Sequence, residues 1–213
     1  MRLIKTVAAL MLAGGTAAFA GPVLDFEGVG NLVRVGDFYK AAYGITFGDN
    51  AWGLVSRSAG GLGPFVNTPS PDTAMGLFTD PRGETQGTAS FLVNVAGGFE
   101  SSFNLSYITN ETSGSIQLFD AQNALLASFN LDNIDQTGCD PQTLCKWGTQ
   151  GGSFSGRAYS VLITGGNGLM YFDDLELGST TPPPGRLPEP GSMALALAGF
   201  GAAAWGVRRR KPA

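Results

Sequence analysis

Apolar residues in the middle of this chain recur at every second position, and no stretch there repeats every third or fourth. Ala89, Phe91, Val93 and Val95 alternate with more polar neighbours, as do Phe103, Leu105 and Tyr107. The same holds for Leu125, Ala127, Phe129 and Leu131, and for Tyr159, Val161 and Ile163. A period of two puts one set of side chains on one face of a pleated strand, so each run predicts a strand with one buried face. Shorter apolar runs at 23–27, 45–47, 52–55, 75–78 and 116–119 add strands. A last strand at 169–177 follows the turn Gly165-Gly166-Asn167-Gly168. Gly97-Gly98, Ser113-Gly114, Asp120 to Asn123 and Gly151-Gly152 read as further turns, and Gly60 to Pro71 as a long surface loop. Many short strands without an amphipathic helix predict an all-β fold, an antiparallel β-sandwich. A jelly-roll-like order would set the first and last strands close together.

This patterning covers residues 21–179, one domain's worth of chain, and stops at both ends. Residues 1–20 read as a signal peptide: Arg2 and Lys5 lead an apolar run, and Ala18-Phe19-Ala20 offers signal peptidase a small-x-small site before Gly21. Residues 180–187 are Pro-rich and form a semi-rigid spacer. Residues 188–213 open with Pro188-Glu189-Pro190, continue without charge from 191 to 207, and end on Arg208, Arg209, Arg210 and Lys211. A helix over 191–207 would be about 26 Å long, enough for a single transmembrane helix. The four cations would act as a cytoplasmic stop. Two prolines around Glu189 would keep the motif extended just outside the bilayer.

Taken in order, Pro188-Glu189-Pro190, a Gly/Ala/Leu-rich helix and a terminal Arg cluster resemble the PEP-CTERM sorting domain, also named after the C-terminal region of ice-binding proteins. The resemblance covers residues 187–211 only. It implies exosortase as the processing partner, membrane attachment before processing, and a final place at the cell surface or in an exopolysaccharide matrix or biofilm.

The body is acidic: it holds sixteen Asp and Glu against Arg34, Lys40, Arg57, Arg82, Lys146 and Arg157. Such a surface repels phosphate backbones and argues against nucleic acid as a partner. Cys139 and Cys145, alone in an exported chain, predict one local disulfide. With no histidine and no free thiol, the common general bases and nucleophiles are missing, so no enzyme is expected. The alternative is a secreted carbohydrate-active enzyme working through paired carboxylates. The adjacent pair Asp173-Asp174 would point to opposite faces of a strand and would not form such a dyad.

Two binding expectations remain. Asp25 and Glu27 share a face of the first strand, and Asp173 and Asp174 lie on the last. If those strands are neighbours, their oxygens would hold a structural calcium. The stretches Leu24 to Glu27 and Tyr171 to Leu175 look similar to the ends of jelly-roll carbohydrate-binding modules, which implies calcium at such positions. Trp52 and Trp147, with Tyr39 and Tyr43, are the candidates for stacking on sugar rings. The expected role is structural, adhesive or glycan-binding, with extracellular polysaccharide as the ligand.

Overall fold

The computed structural model describes residues 21–82 and 87–180; the signal segment, and the spacer and sorting segment from residue 181 on, lie outside the described residues. Described strands are β1 (Val23–Leu24), β2 (Val33–Arg34), β3 (Ile45–Phe47), β4 (Ala51–Val55), β5 (Thr73–Leu77), β6 (Thr88–Thr109), β7 (Gly114–Phe119), β8 (Leu125–Leu131), β9 (Gly148–Gly166) and β10 (Met170–Thr180). A one-turn helix α1 (Lys40–Tyr43) and a 3₁₀ turn at Arg57–Ala59 interrupt them. Every pairing between these strands is antiparallel. Their order is β2-β4-β5-β10-β6-β9-β7-β8, with β1 on β10 and β3 on β6. The adjacency behind the jelly-roll expectation is present: Val23 pairs with Glu176 and Leu24 with Leu175.

Two strands, β6 and β9, run through both layers of the sandwich. Their register breaks between Asn94 and Phe99 and again between Glu100 and Ser102, where the paired ribbon bends. On one side of the bend lie β3, the first half of β6, the second half of β9, β7 and β8. On the other lie β2, β4, β5, β10 and β1 with the remaining halves. The inward residues of both layers form one apolar cluster. Phe91 of the first layer meets Phe172 of the second edge-on, with ring centroids 6.0 Å apart, and Phe103 stacks on Phe129 at 6.2 Å. Burying a ring as fully as Phe103 or Phe172 contributes about 1.5–3 kcal/mol.

The bend corrects two turn expectations. Gly97-Gly98 and Gly151-Gly152 lie inside β6 and β9, not between strands. Gly98 adopts the left-handed region (φ 66°), and a Cβ there would sit 2.7 Å from Arg157 Cγ. At Gly151 a Cβ would lie 2.1 Å from the Phe103 carbonyl oxygen. These glycines serve a bulge and a close backbone approach, both compatible with a continuing strand.

The two outer faces differ. On the second layer, Leu54, Ala74, Ile108 and Tyr171 point outward and are buried by Phe65 and Leu144 from two loops, so every residue of β5 is buried. Gly60 to Pro71, expected as a surface loop, is one of these covers. On the first layer Ser90, Leu92 and Asn94 alternate with buried neighbours and stay exposed.

Candidate functional site

A cleft of about 660 Å³ opens where the two covering loops meet the β6–β7 turn. Arg57, Asn110, Glu111, Asn133, Asp135 and Asp140 stand on its walls, with Leu144 and Tyr171 behind them. The longer loop, between β8 and β9, is closed by the expected disulfide Cys139–Cys145 (Cα–Cα 5.7 Å). Gln136 fixes it from within: its Oε1 accepts from the backbone N–H of Cys145 and of Lys146, both at 3.0 Å, and its Nε2 donates to the Lys146 carbonyl at 3.0 Å. Thr109 Oγ1 accepts from Ile134 N–H (2.8 Å) and lies 3.0 Å from Asn133 Oδ1, tying the loop to β6. Leu144 N–H donates to the Pro64 carbonyl and Val66 N–H to the Leu144 carbonyl, while Arg57 Nη1 donates to the Gln142 carbonyl.

The cleft is polar and its charge is mostly negative. Asp135 accepts from Thr137 N–H (2.8 Å) and Thr137 Oγ1 (2.5 Å), and these bonds hold its carboxyl below the usual range. Glu111 sits in the turn with φ 51°, and none of the described residues donates to its carboxylate. The amides, hydroxyls and carboxylates around a preformed cavity can hydrogen-bond a hydroxyl-rich ligand. Of the lining residues sequence singled out only Cys139, as half of the disulfide; the available signals for the rest were the Asn110 to Ser113 turn and the cysteine loop.

Three of the four carboxylates expected to share calcium bond the Ser70 to Thr73 segment, and Asp25 bonds only its own neighbour. Glu27 Oε1 accepts from Asp72 N–H (2.9 Å) and Thr73 N–H (2.7 Å), and its Oε2 accepts from Thr73 Oγ1 (3.2 Å). Asp173 Oδ2 accepts from Ser70 N–H at 2.9 Å, and Asp174 Oδ1 accepts from Ser70 Oγ. Asp25 accepts from Glu27 N–H at 3.2 Å. The expectation that Asp173 and Asp174 point to opposite faces fails: Asp174 takes φ 44° beside a bulge, and both side chains reach Ser70. Asp173 is fully buried, and burial pushes its carboxyl up to about 7, with the Asp174 and Glu27 charges adding to the shift. Among the described residues, no group of three or more His, Cys, Asp and Glu side chains is arranged to hold a metal ion.

The tryptophans serve the interior. Trp147 Nε1 donates to the Val66 carbonyl at 2.9 Å, and the ring packs edge-on against Phe65. Trp52 Nε1 donates to the Phe78 carbonyl at 3.1 Å, while the Arg34 guanidinium covers its ring at 5.0 Å. Both are half-buried. Tyr39 is buried, its hydroxyl accepting from Phe26 N–H at 2.7 Å, and Tyr43 is exposed.

Fold and cleft thus define an antiparallel β-sandwich body carrying a loop-built polar cleft. Its tail is specific: residues 187–211 match the PEP-CTERM protein-sorting motif, which marks the chain for export and for exosortase processing from a membrane-held signal. No curated protein matches the sequence. Among solved structures, the chain is similar to TmCBM61 in complex with beta-1,4-galactotriose (11% identity, 70% of this chain and 99% of that one, TM-score 0.41). It is also similar to the K2 cleaved adhesin domain of Lys-gingipain (11%, 74% and 99%, TM-score 0.47). A third is the family 11 carbohydrate-binding module of a Clostridium thermocellum cellulosomal cellulase (15%, 77% and 97%, TM-score 0.33). With scores this low, none of them bears on what this body binds.

Proposed function

We propose that this protein is a non-catalytic, glycan-binding component of the bacterial surface or exopolysaccharide matrix, delivered there by its sorting tail. The observation that carries the binding role is the preformed cleft, whose walls present amide and carboxylate side chains, among them Glu111, to whose carboxylate none of the described residues donates. A disulfide and the Gln136 bonds hold the wall in advance, so little ordering entropy is lost when a ligand enters. The test is titration of the full chain, in detergent, with soluble oligosaccharides released from a bacterial exopolysaccharide. Saturable binding weakened by Glu111→Gln and by Asn133→Ala supports the reading. Absence of binding overturns it, and release of reducing ends favours the carbohydrate-active enzyme instead.

A structural calcium on the Asp25, Glu27, Asp173 and Asp174 cluster is a second reading, favoured by one observation: Asp173 is buried as a carboxyl with no cationic neighbour among its hydrogen-bond partners. Calcium takes six to eight oxygens, so backbone carbonyls would have to complete the set. Calorimetry with calcium chloride on the EDTA-treated protein tests it; no heat and no change in melting temperature would sink it.

A further inference from the structure

The open outer face of the first layer carries an uncharged hydrogen-bonding lattice. Cross-strand pairing aligns Ser90, Thr164, Ser115 and Asn130 in one row across β6, β9, β7 and β8. A second row aligns Leu92, Leu162, Gln117 and Ser128 across the same strands. A third continues through Asn94 and Ser160 to Phe119 on one side and Thr46 of β3 on the other. No Asp, Glu, Lys or Arg occupies these rows, in a body where acids far outnumber bases. Among the described residues, none of the hydroxyl or amide groups on the first two rows has a hydrogen-bond partner within the protein. The matching face of the second layer is sealed by loops; here every residue of the first two rows is exposed or half-exposed, and in the third only Ser160 is buried.

The geometry points to a docking surface for an extended, neutral, hydroxyl-rich polymer lying across the strands, distinct from the cleft. Neighbouring strands stand about 4.8 Å apart, close to the repeat of one sugar in an extended β-linked chain. A polysaccharide crossing the strands therefore meets one row position per sugar. The Ser/Thr/Asn row offers donors and acceptors to the hydroxyls, and the adjacent Leu92–Leu162 pair offers apolar contact to the C–H faces of the rings. A neutral occupant fits because the rows hold no charge to pair with a uronate or an amine, and bringing either onto them would strip its hydration without replacement. A shallow groove of about 340 Å³, lined by Lys40, Thr46, Asn94 and Tyr159 among others, adjoins the third row.

The experiment uses the full chain in detergent and affinity electrophoresis in gels cast with hydroxyethylcellulose as the neutral probe and alginate as the anionic one. The expected result is retardation by the neutral polymer that is insensitive to salt, with none by alginate. Gln117→Glu combined with Leu92→Asp is expected to weaken that retention about tenfold or more, with an unchanged melting curve because both side chains point outward. Should the charged variant fail to fold, Ser115→Ala with Thr164→Val removes two row hydroxyls and serves in its place. Glu111→Gln, in the cleft, is expected to leave retention untouched. Retention that survives the face substitutions, or that vanishes with Glu111→Gln alone, overturns the surface while leaving the cleft reading intact. A wild-type protein not retarded by the neutral polymer overturns it as well.

Discussion

Asp173 is the only buried charged group among the described residues, and its surroundings set a pH dependence. Unfolded, the carboxyl titrates near the ordinary aspartate value of 3.8; folded, burial lifts it to about 7. Between those values the folded state binds the extra proton, so stability falls as pH rises from about 4 to about 7 and is level above. In EDTA we expect the melting temperature to be several degrees higher at pH 5 than at pH 7.5, with the slope flattened in Asp173→Asn. Calcium at the cluster would reverse the sign, stabilising the ionised form. Glu111 tests a different residue-scale effect. Its left-handed backbone strains a non-glycine residue, so in urea unfolding Glu111→Gly is expected to leave stability level or raise it by up to about 1 kcal/mol, while cleft binding falls. The acids at the two ends of the body were legible in the sequence as candidates; the meeting of Asp173 and Asp174 at Ser70 was not, because it depends on one positive φ and a bulge.

At the level of elements, alternation located most strands: Ile45–Phe47 and Leu125–Leu131 fall where the pattern places them. It split β6 and β9 into pieces, because glycine pairs signal reversal and bulge alike and only tertiary pairing separates the two. The first half of β9, rich in Gly and Ser, carries no apolar alternation, which hides it from the pattern. Gly98→Val, forcing a β-branched side chain onto Arg157 at φ 66°, is expected to cost about 2–3 kcal/mol in urea unfolding. The disulfide loop behaves otherwise. Its short ring limits the loss on Cys139→Ser with Cys145→Ser to about 2 kcal/mol, whereas affinity for the cleft ligand is expected to drop further than stability. The loop's closure was readable from cysteine spacing. The cleft it builds was not, since that needs the Gly60 to Pro71 segment folded down beside it.

For the whole molecule, the sorting motif was fully legible, being a linear signal carried by the identity and order of its residues. Replacing Pro188, Glu189 and Pro190 with Ala is expected to hold the protein in the membrane fraction at its unprocessed mass, as measured by fractionation and intact mass spectrometry; release at the processed mass would refute that dependence. The body's own ends are placed with equal economy. β1 pairs with the C-terminal half of β10, which runs from the cleft wall at Tyr171 to Thr180, where the described body ends. A polymer tugging at the cleft while the chain is tethered beyond Thr180 would load β10 along its length. The hydrogen bonds linking it to β6 lie across that pull and would share the force in shear, the loading direction in which a ladder cannot open one rung at a time.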